Sequence, residues 1–176
     1  SSLTVQRLDL PHQGFGLALS DDRQSWTYTA LLDGIGTQVW TLPTDFSRPA
    51  QAIGPLGAKR GLLYGGELYF NRDNNASIYR WDATTKTAEL IVDQSSSVGW
   101  QSWFIYRDAL YYINADEEQA GVWRHSLIDG VKEKVLATAP TALGSSMTID
   151  PLSGDFIDSN TDRAEADLFV TQFSID

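Results

Sequence analysis

The sequence predicts an all-β protein made of four copies of one sheet unit. The first observation is an aromatic residue at the centre of a short apolar run that recurs at Trp40, Tyr79, Trp123 and Phe169, with spacings of 39, 44 and 46 residues. The second is that β-branched, aromatic and glycine residues punctuate the whole length. The third is that no segment shows a sustained 3.6-residue apolar period, so helix is predicted to be nearly absent.

Each of the four units contains a predicted hairpin. A second aromatic-rich run precedes each recurring aromatic, at 26–29, 68–70, 110–113 and 155–157. The segments between the two runs are rich in Asn, Asp and Gly, which favour turns. These predicted loops lie at 32–34, 71–75, 114–118 and 158–162.

Two further runs extend the hairpins into four-stranded units. A run upstream of each hairpin lies at 16–19, 61–64, 103–106 and 146–149, and a run downstream lies at 50–53, 88–91 and 134–136. Four strands repeated about every 40 residues are typical of a β-propeller blade, because one such sheet must stack on copies of itself to bury both faces. We predict one domain, 1–176, with blades at about 14–54, 58–93, 100–138 and 144–176 plus 3–9.

The last hairpin has no fourth run behind it, whereas the N-terminus has an unassigned run at 5–8. We expect this N-terminal strand to lie beside residues 168–171 and to close the last blade, which would leave no bare sheet edge. The four antiparallel blades form either a complete small propeller or part of a larger one, and the pattern is compatible with both, as it is with a homo-oligomer.

Composition narrows the classes of partner. The chain has 176 residues, 42% apolar residues and a net charge of −10. This charge opposes binding to nucleic acid and to anionic membranes. The longest apolar runs fall far short of the ~20 residues that span a bilayer, so no membrane insertion is expected within this segment. The expected partner is an unidentified small molecule or protein.

The residues offer few groups for catalysis. There is no cysteine, and the two histidines, His12 and His125, are too few for a three-histidine zinc site. No nucleophile elbow, phosphate-binding loop or dinucleotide fingerprint occurs. We therefore predict a chain that is not an enzyme and that has no cofactor. Because Asp and Glu are abundant, a carboxylate-based carbohydrate-active or metal-assisted hydrolase remains the alternative.

One predicted loop has part of the pattern of a metal site. Asp158, Asn160 and Asp162 alternate like the start of a calcium-binding loop, which makes them weak candidates. Arg163 stands where such a loop needs glycine, and Phe169 stands where it needs the bidentate glutamate. The sequence therefore predicts no metal site.

Five of the six candidate binding residues lie in loops that connect the predicted strands, and the sixth, Trp103, begins the predicted run at 103–106. Aromatic side chains on loops are frequent contacts for sugars, peptides and protein partners. Trp100 has no counterpart in the other units and is followed by Trp103, whereas Trp26, Trp40 and Trp123 recur on strands and are expected to pack in the core. The binding candidates are Trp100, Trp103, Asp73, Asn74, Asp116 and Glu117.

The final unit also resembles a known type of repeat. Residues 144–155, Gly-Ser-Ser-Met-Thr-Ile-Asp-Pro-Leu-Ser-Gly-Asp, followed by Asp-Leu-Phe-Val at 167–170, are similar to the closing blade of TolB-like propellers. Such a blade ends the C-terminal half of membrane-anchored winged-helix transcriptional regulators of the ToxR/CadC type. The hairpin formed by 66–70 and 78–82 is similar to the preceding blades of those proteins.

This resemblance implies a periplasmic or other extracytoplasmic sensor that binds a ligand or a protein. The DNA-binding domain and the membrane anchor would then lie outside this chain. A purely structural role, as part of a larger propeller or oligomer, is the remaining alternative.

Overall fold

The computed structural model describes residues 10–72, 75–93, 102–114, 119–137, 146–150, 153–162 and 165–171. Within these residues the chain forms fifteen strands and no helix. The first sheet consists of β1 (Gln13–Leu19), β2 (Ser25–Leu32), β3 (Gly36–Pro43) and β4 (Gln51–Leu56). The second sheet consists of β5 (Ala58–Tyr64), β6 (Glu67–Arg72), β7 (Asn75–Asp82) and β8 (Thr87–Val92).

The third and fourth sheets follow in chain order. The third consists of β9 (Trp103–Tyr106), β10 (Ala109–Asn114), β11 (Gly121–Ser126) and β12 (Lys132–Ala137). The fourth consists of β13 (Ser146–Ile149), β14 (Phe156–Asp162) and β15 (Glu165–Thr171). In every sheet, strands that are adjacent in sequence pair antiparallel, so each sheet is a meander.

The predicted all-β, propeller-like fold class is confirmed. Three sheets have four strands, and the fourth has three within the described residues. The predicted closing strand at 5–8 lies outside the described part of the chain. The predicted loop at 158–162 belongs instead to β14, whose hairpin with β15 extends to the pair Asp162 and Glu165. The segment is extended despite its turn-like composition, because cross-strand pairing overrides a weak local preference.

The first strand of each sheet carries most of the contact between sheets. β5 contacts all four strands of the first sheet, and β9 contacts both β5 and β13. Val39 of the first sheet packs in one cluster with Ala58, Leu68 and Phe70 of the second. A larger cluster joins the second, third and fourth sheets through residues that include Ile78, Trp103, Leu110 and Met147. Each sheet therefore buries a face against its neighbour, as propeller blades do.

The first and second sheets approach each other closely at Gly61. A Cβ atom added there would lie 2.7 Å from both methyl groups of Val39 and 2.9 Å from Leu68 Cδ1. Two buried threonines of β2 bond to the backbone of β5: Thr27 Oγ1 donates to Gly61 O at 2.9 Å, and Thr29 Oγ1 donates to Lys59 O at 2.7 Å. These side chains fix the register of β5 against the first sheet.

Candidate binding site in the shared cavity

The first strands of all four sheets line one open cavity of about 600 Å³, here called the shared cavity. This volume lies within the usual range for small-molecule sites. The turns after β1 and β9 contribute to its edge. Its lining comprises Leu17, Ala18, Leu19, Ser20, Asp21, Arg23, Arg60, Leu62, Leu63, Tyr64, Phe104, Ile105, Tyr106, Arg107, Thr148 and Ile149.

About half of the residues that line the shared cavity are apolar, and part of that apolar surface meets solvent. Leu17 is 62% exposed and Leu19 is 41% exposed, although both lie on a strand that contacts the neighbouring sheet. Leu62 and Ile105 extend this surface along β5 and β9. Exposed leucines grouped in a concavity are a feature of binding sites, whereas scattered ones need no explanation.

The charge of the shared cavity is opposite to that of the protein. The whole sequence has 13 basic and 23 acidic side chains. The lining residues include three arginines, Arg23, Arg60 and Arg107, and one carboxylate, Asp21. Clefts lined by one sign of charge concentrate ligands of the opposite sign. The cavity is therefore suited to an anionic group.

Arg60 lies within β5, four residues before the strand ends, whereas Arg23 and Arg107 lie in turns between strands. Its Nη1 donates a hydrogen bond to Trp103 O at 2.7 Å, and its guanidinium carbon lies 5.3 Å from the centroid of the Trp103 ring. Burial lowers the pKa of Arg60 to about 10, because desolvation disfavours the charged form. At neutral pH the side chain is still a cation.

Hydrogen bonds between successive turns form the edge of the shared cavity. Gly65 N donates to Asp21 Oδ2 at 3.0 Å, which joins the turns that follow β1 and β5. Tyr64 OH donates to Asp108 Oδ1 at 3.0 Å and accepts from Asp108 N at 2.9 Å. Desolvation is the main cause that raises the pKa of the Tyr64 hydroxyl, and the Asp108 carboxylate adds to it, so the hydroxyl remains protonated at neutral pH.

The turn between β9 and β10 carries backbone strain at this edge. Arg107 has φ 45° and Asp108 has φ 56°, whereas the equivalent turn after β5 uses two glycines, Gly65 and Gly66, for the same left-handed conformation. Residues other than glycine are uncommon in this region and cost energy there. The strained turn places Arg107 at the cavity edge, where its guanidinium lies 5.1 Å from the Tyr106 ring.

Among the binding candidates from the sequence, the structure describes Trp103. Its side chain is 1% exposed and lies in the large core cluster, with Arg60 over its ring. Its role as a direct ligand contact stays a prediction. The other candidates lie outside the described residues; they are Trp100, Asp73, Asn74, Asp116 and Glu117. The three strand tryptophans Trp26, Trp40 and Trp123 are partly buried against the core clusters.

The weak metal candidates have a described backbone position. Asp158, Asn160 and Asp162 are alternate residues of the extended strand β14, so their backbone does not form the loop that the calcium pattern requires. In the part of the chain that the structure describes, no group of three His, Asp or Glu residues is placed to hold a metal ion. The expectation of no metal site, with these three residues as weak candidates, stays a prediction.

The three cavity arginines are not among the residues that the sequence predicts as a site. The predicted run at 61–64 begins one residue after Arg60, and the predicted run at 103–106 ends one residue before Arg107. Arg60 is distinguished by its position in the second sheet, where it pairs with Asn71 on β6, and by the fact that its strand, β5, lines the shared cavity. Both features depend on how the strands pair. That information is not local to the sequence.

No protein-family model matches the sequence. A search of curated proteins finds no match either. Solved structures do match. A puromycin hydrolase S511A mutant complexed with PGG matches with TM-score 0.61 at 15% identity, over 85% of this chain and 26% of that chain. TolB from Acinetobacter baumannii matches with TM-score 0.61 at 16% identity, over 88% of this chain and 39% of that chain.

A chain of a nidogen/laminin complex matches with TM-score 0.60 at 10% identity, over 89% of this chain and 60% of that chain. The chain thus spans about a quarter to three-fifths of the length of these three solved structures. Similarity at such low identity shows the fold and not the function. The fold is that of TolB-like and related β-propellers.

No helix long and apolar enough to cross a bilayer occurs in the described ranges.

Proposed function

We propose that this chain is a non-enzymatic interaction module that binds its ligand in the shared cavity. The observation that carries the proposal is the convergence of the four first strands on one open cavity lined by exposed leucines and arginines. Its described lining residues include one carboxylate, Asp21, and the carboxylate of Asp108 at the edge accepts a hydrogen bond from Tyr64, whereas a glycosidase-type mechanism needs a pair of carboxyl groups that face the substrate. This lining favours binding over hydrolysis.

The finer assignment comes from the sequence resemblance. We infer an extracytoplasmic sensor domain, 1–176, of a membrane-anchored transcriptional regulator, with the DNA-binding and membrane segments outside this chain. The TolB neighbour supports the propeller part of this inference. The nidogen/laminin neighbour is an example of a similar fold in a protein complex, which supports an interaction role for the scaffold.

A pair of leucine variants tests the proposal. Leu17→Glu puts a carboxylate into the shared cavity, and Leu90→Glu makes the same change on β8, where Leu90 is 51% exposed. Both residues lie on edge strands, so the variants have a comparable effect on solubility and charge. The purified chains are screened by thermal shift against panels of metabolites and peptides.

A ligand of the shared cavity raises the Tm of the wild type and of Leu90→Glu, but not that of Leu17→Glu. At a concentration 100 times the Kd, binding adds about 2.7 kcal/mol. This corresponds to about 5–10 °C in a chain of this size. Equal shifts in both variants would place the binding elsewhere, and an absence of shifts across the panels would count against a ligand-binding role.

A further inference from the structure

Arg60 is an exception within the repeat. It pairs with Asn71 on β6, and the residues at the same register of the other three sheets are Phe15, Ser102 and Ser146. A cation that only held neighbouring sheets together would be expected to recur in the other units, as core residues do. Only one of the four equivalent positions carries charge, so the role of Arg60 is specific to this place in the shared cavity.

The contacts of Arg60 with the described residues hold its guanidinium without neutralising it. One donor is bonded to Trp103 O, and the Trp103 ring lies beneath the group. The guanidinium has five N–H donors. Among the described residues no carboxylate forms an ion pair with Arg60. Burying part of a cation without a counter-charge has a desolvation cost, and a bound anion would offset that cost.

The surroundings of Arg60 specify the anion further. The lining on β5 and β9 includes the apolar side chains of Leu62, Phe104 and Ile105, so a ligand with a hydrocarbon body fits there. One deep cation balances one negative charge, which suits a carboxylate better than a dianionic phosphate. The planar guanidinium also matches the two oxygens of a carboxylate.

We propose that the shared cavity binds a monocarboxylate with an apolar body, and that Arg60 is the residue that anchors the carboxylate. This inference rests on the proposed function and names the ligand class of the same cavity. Arg23 and Arg107, at the cavity edge, attract the anion on approach. A free organic acid and the C-terminal carboxylate of a peptide share this chemistry, and the experiment below separates the two sources.

The test is isothermal titration of the full chain with hexanoate, hexanol, hexylamine and hexyl phosphate. A second arm compares N-acetyl-Leu-Leu carrying a free C-terminal carboxylate with the same peptide as its amide. We expect hexanoate to bind and the other three hexyl compounds to bind at least 10-fold more weakly. If the acetylated peptide acid binds more tightly than hexanoate, the source is a peptide end; if hexanoate is tighter, it is a free acid.

Variants assign the interaction to Arg60. Arg60→Met is expected to weaken the binding of the preferred acid by about 10- to 100-fold, since it removes hydrogen bonds between charged groups. Arg48→Met removes the same charge from the exposed segment before β4 and is expected to leave binding unchanged. Arg60→Lys keeps the charge without the planar fork, and it supplies an intermediate affinity if Arg60→Met does not fold.

Four results would overturn this inference. Hexanol or hexylamine that binds as tightly as hexanoate would show that the anion is irrelevant, and tighter binding of hexyl phosphate would contradict the single-charge argument. If Arg60→Met or Arg60→Lys bound the preferred acid with unchanged affinity, Arg60 would not be the residue that anchors the carboxylate. If neutral or cationic ligands instead shift the Tm of the wild type but not of Leu17→Glu, the proposed function stands while the monocarboxylate inference fails.

Discussion

The close approach of the first two sheets predicts a specific coupling between Gly61 and Val39. Gly61 has no positive φ, so Gly61→Ala is compatible with the backbone and its effect is steric. The new methyl group would lie 2.7 Å from two carbons of Val39, roughly 1 Å inside the usual contact distance of about 3.5–4.0 Å. Overpacking of this kind costs about 1–3 kcal/mol.

The partner substitution, Val39→Ala, makes space at the same point. Val39 is fully buried, and removing its two methyl groups costs about 1.6 kcal/mol of transfer free energy plus a cavity term, or about 2–3 kcal/mol together. In the double variant the methyl group introduced by Gly61→Ala occupies the vacated volume. We therefore expect the double variant to be about 1–2 kcal/mol more stable than the sum of the two single effects.

Urea unfolding of the wild type, the two single variants and the double variant measures this coupling from the free energies of unfolding. Val131→Ala, at a 54% exposed valine, is the matched control and is expected to change stability by less than about 0.5 kcal/mol. Additive single effects would show that Gly61 and Val39 do not share a contact. The packing of the first sheet on β5 would then be incorrect.

Three further perturbations test other parts of the fold. Burial lowers the pKa of His125 below 6.5, so the folded chain binds fewer protons than the unfolded chain. The free energy of unfolding should therefore fall as the pH drops below 6.5. The urea midpoints at pH 7.5 and pH 5.5 should differ less in His125→Gln than in the wild type. Tyr64→Phe removes the hydroxyl group that links two neighbouring turns and should cost about 1 kcal/mol, seen as a Tm lower by about 2–4 °C. In Gly121→Ala the new Cβ would lie 2.2 Å from Leu136 O at φ 151°, so the loss should exceed about 3 kcal/mol by urea unfolding. Gly34→Ala, at φ 70° with open space, should lose only about 1 kcal/mol.

The sequence predicted the sheets because their determinants are local and repeated. Alternating aromatic runs separated by turn residues specify hairpins, and the run at 26–29 lies in β2 as expected. The loop at 158–162 failed as a prediction because Asp, Asn and Ser residues favour turns on average, while the pairing of β14 with β15 depends on residues up to 15 positions away. The composition of residues 158–162 alone gives no information about that pairing.

The candidate site was harder to predict for the same physical reason. A cavity between four sheets exists only after the sheets have packed, and the environment of Arg60 is set by Trp103, which lies 43 residues later in the chain. In the sequence, Arg60 is one of 13 basic residues and has no motif around it. Tryptophan, in contrast, is conspicuous in a sequence, which makes Trp103 a candidate from the sequence although its side chain lies in the core.

Comparison between units separates structural arginines from the candidate functional one. Arg80 pairs across strands with Tyr69 and Glu89, and the third sheet repeats this row of side chains with Arg124. The corresponding row there is Tyr111, Arg124 and Glu133. A row that recurs at the same register performs the same task in each sheet, so the Arg-to-Met variants of both rows should lose similar stability and leave ligand binding intact. Arg60 has a neutral residue at every equivalent position, and its substitution should therefore change binding more than stability.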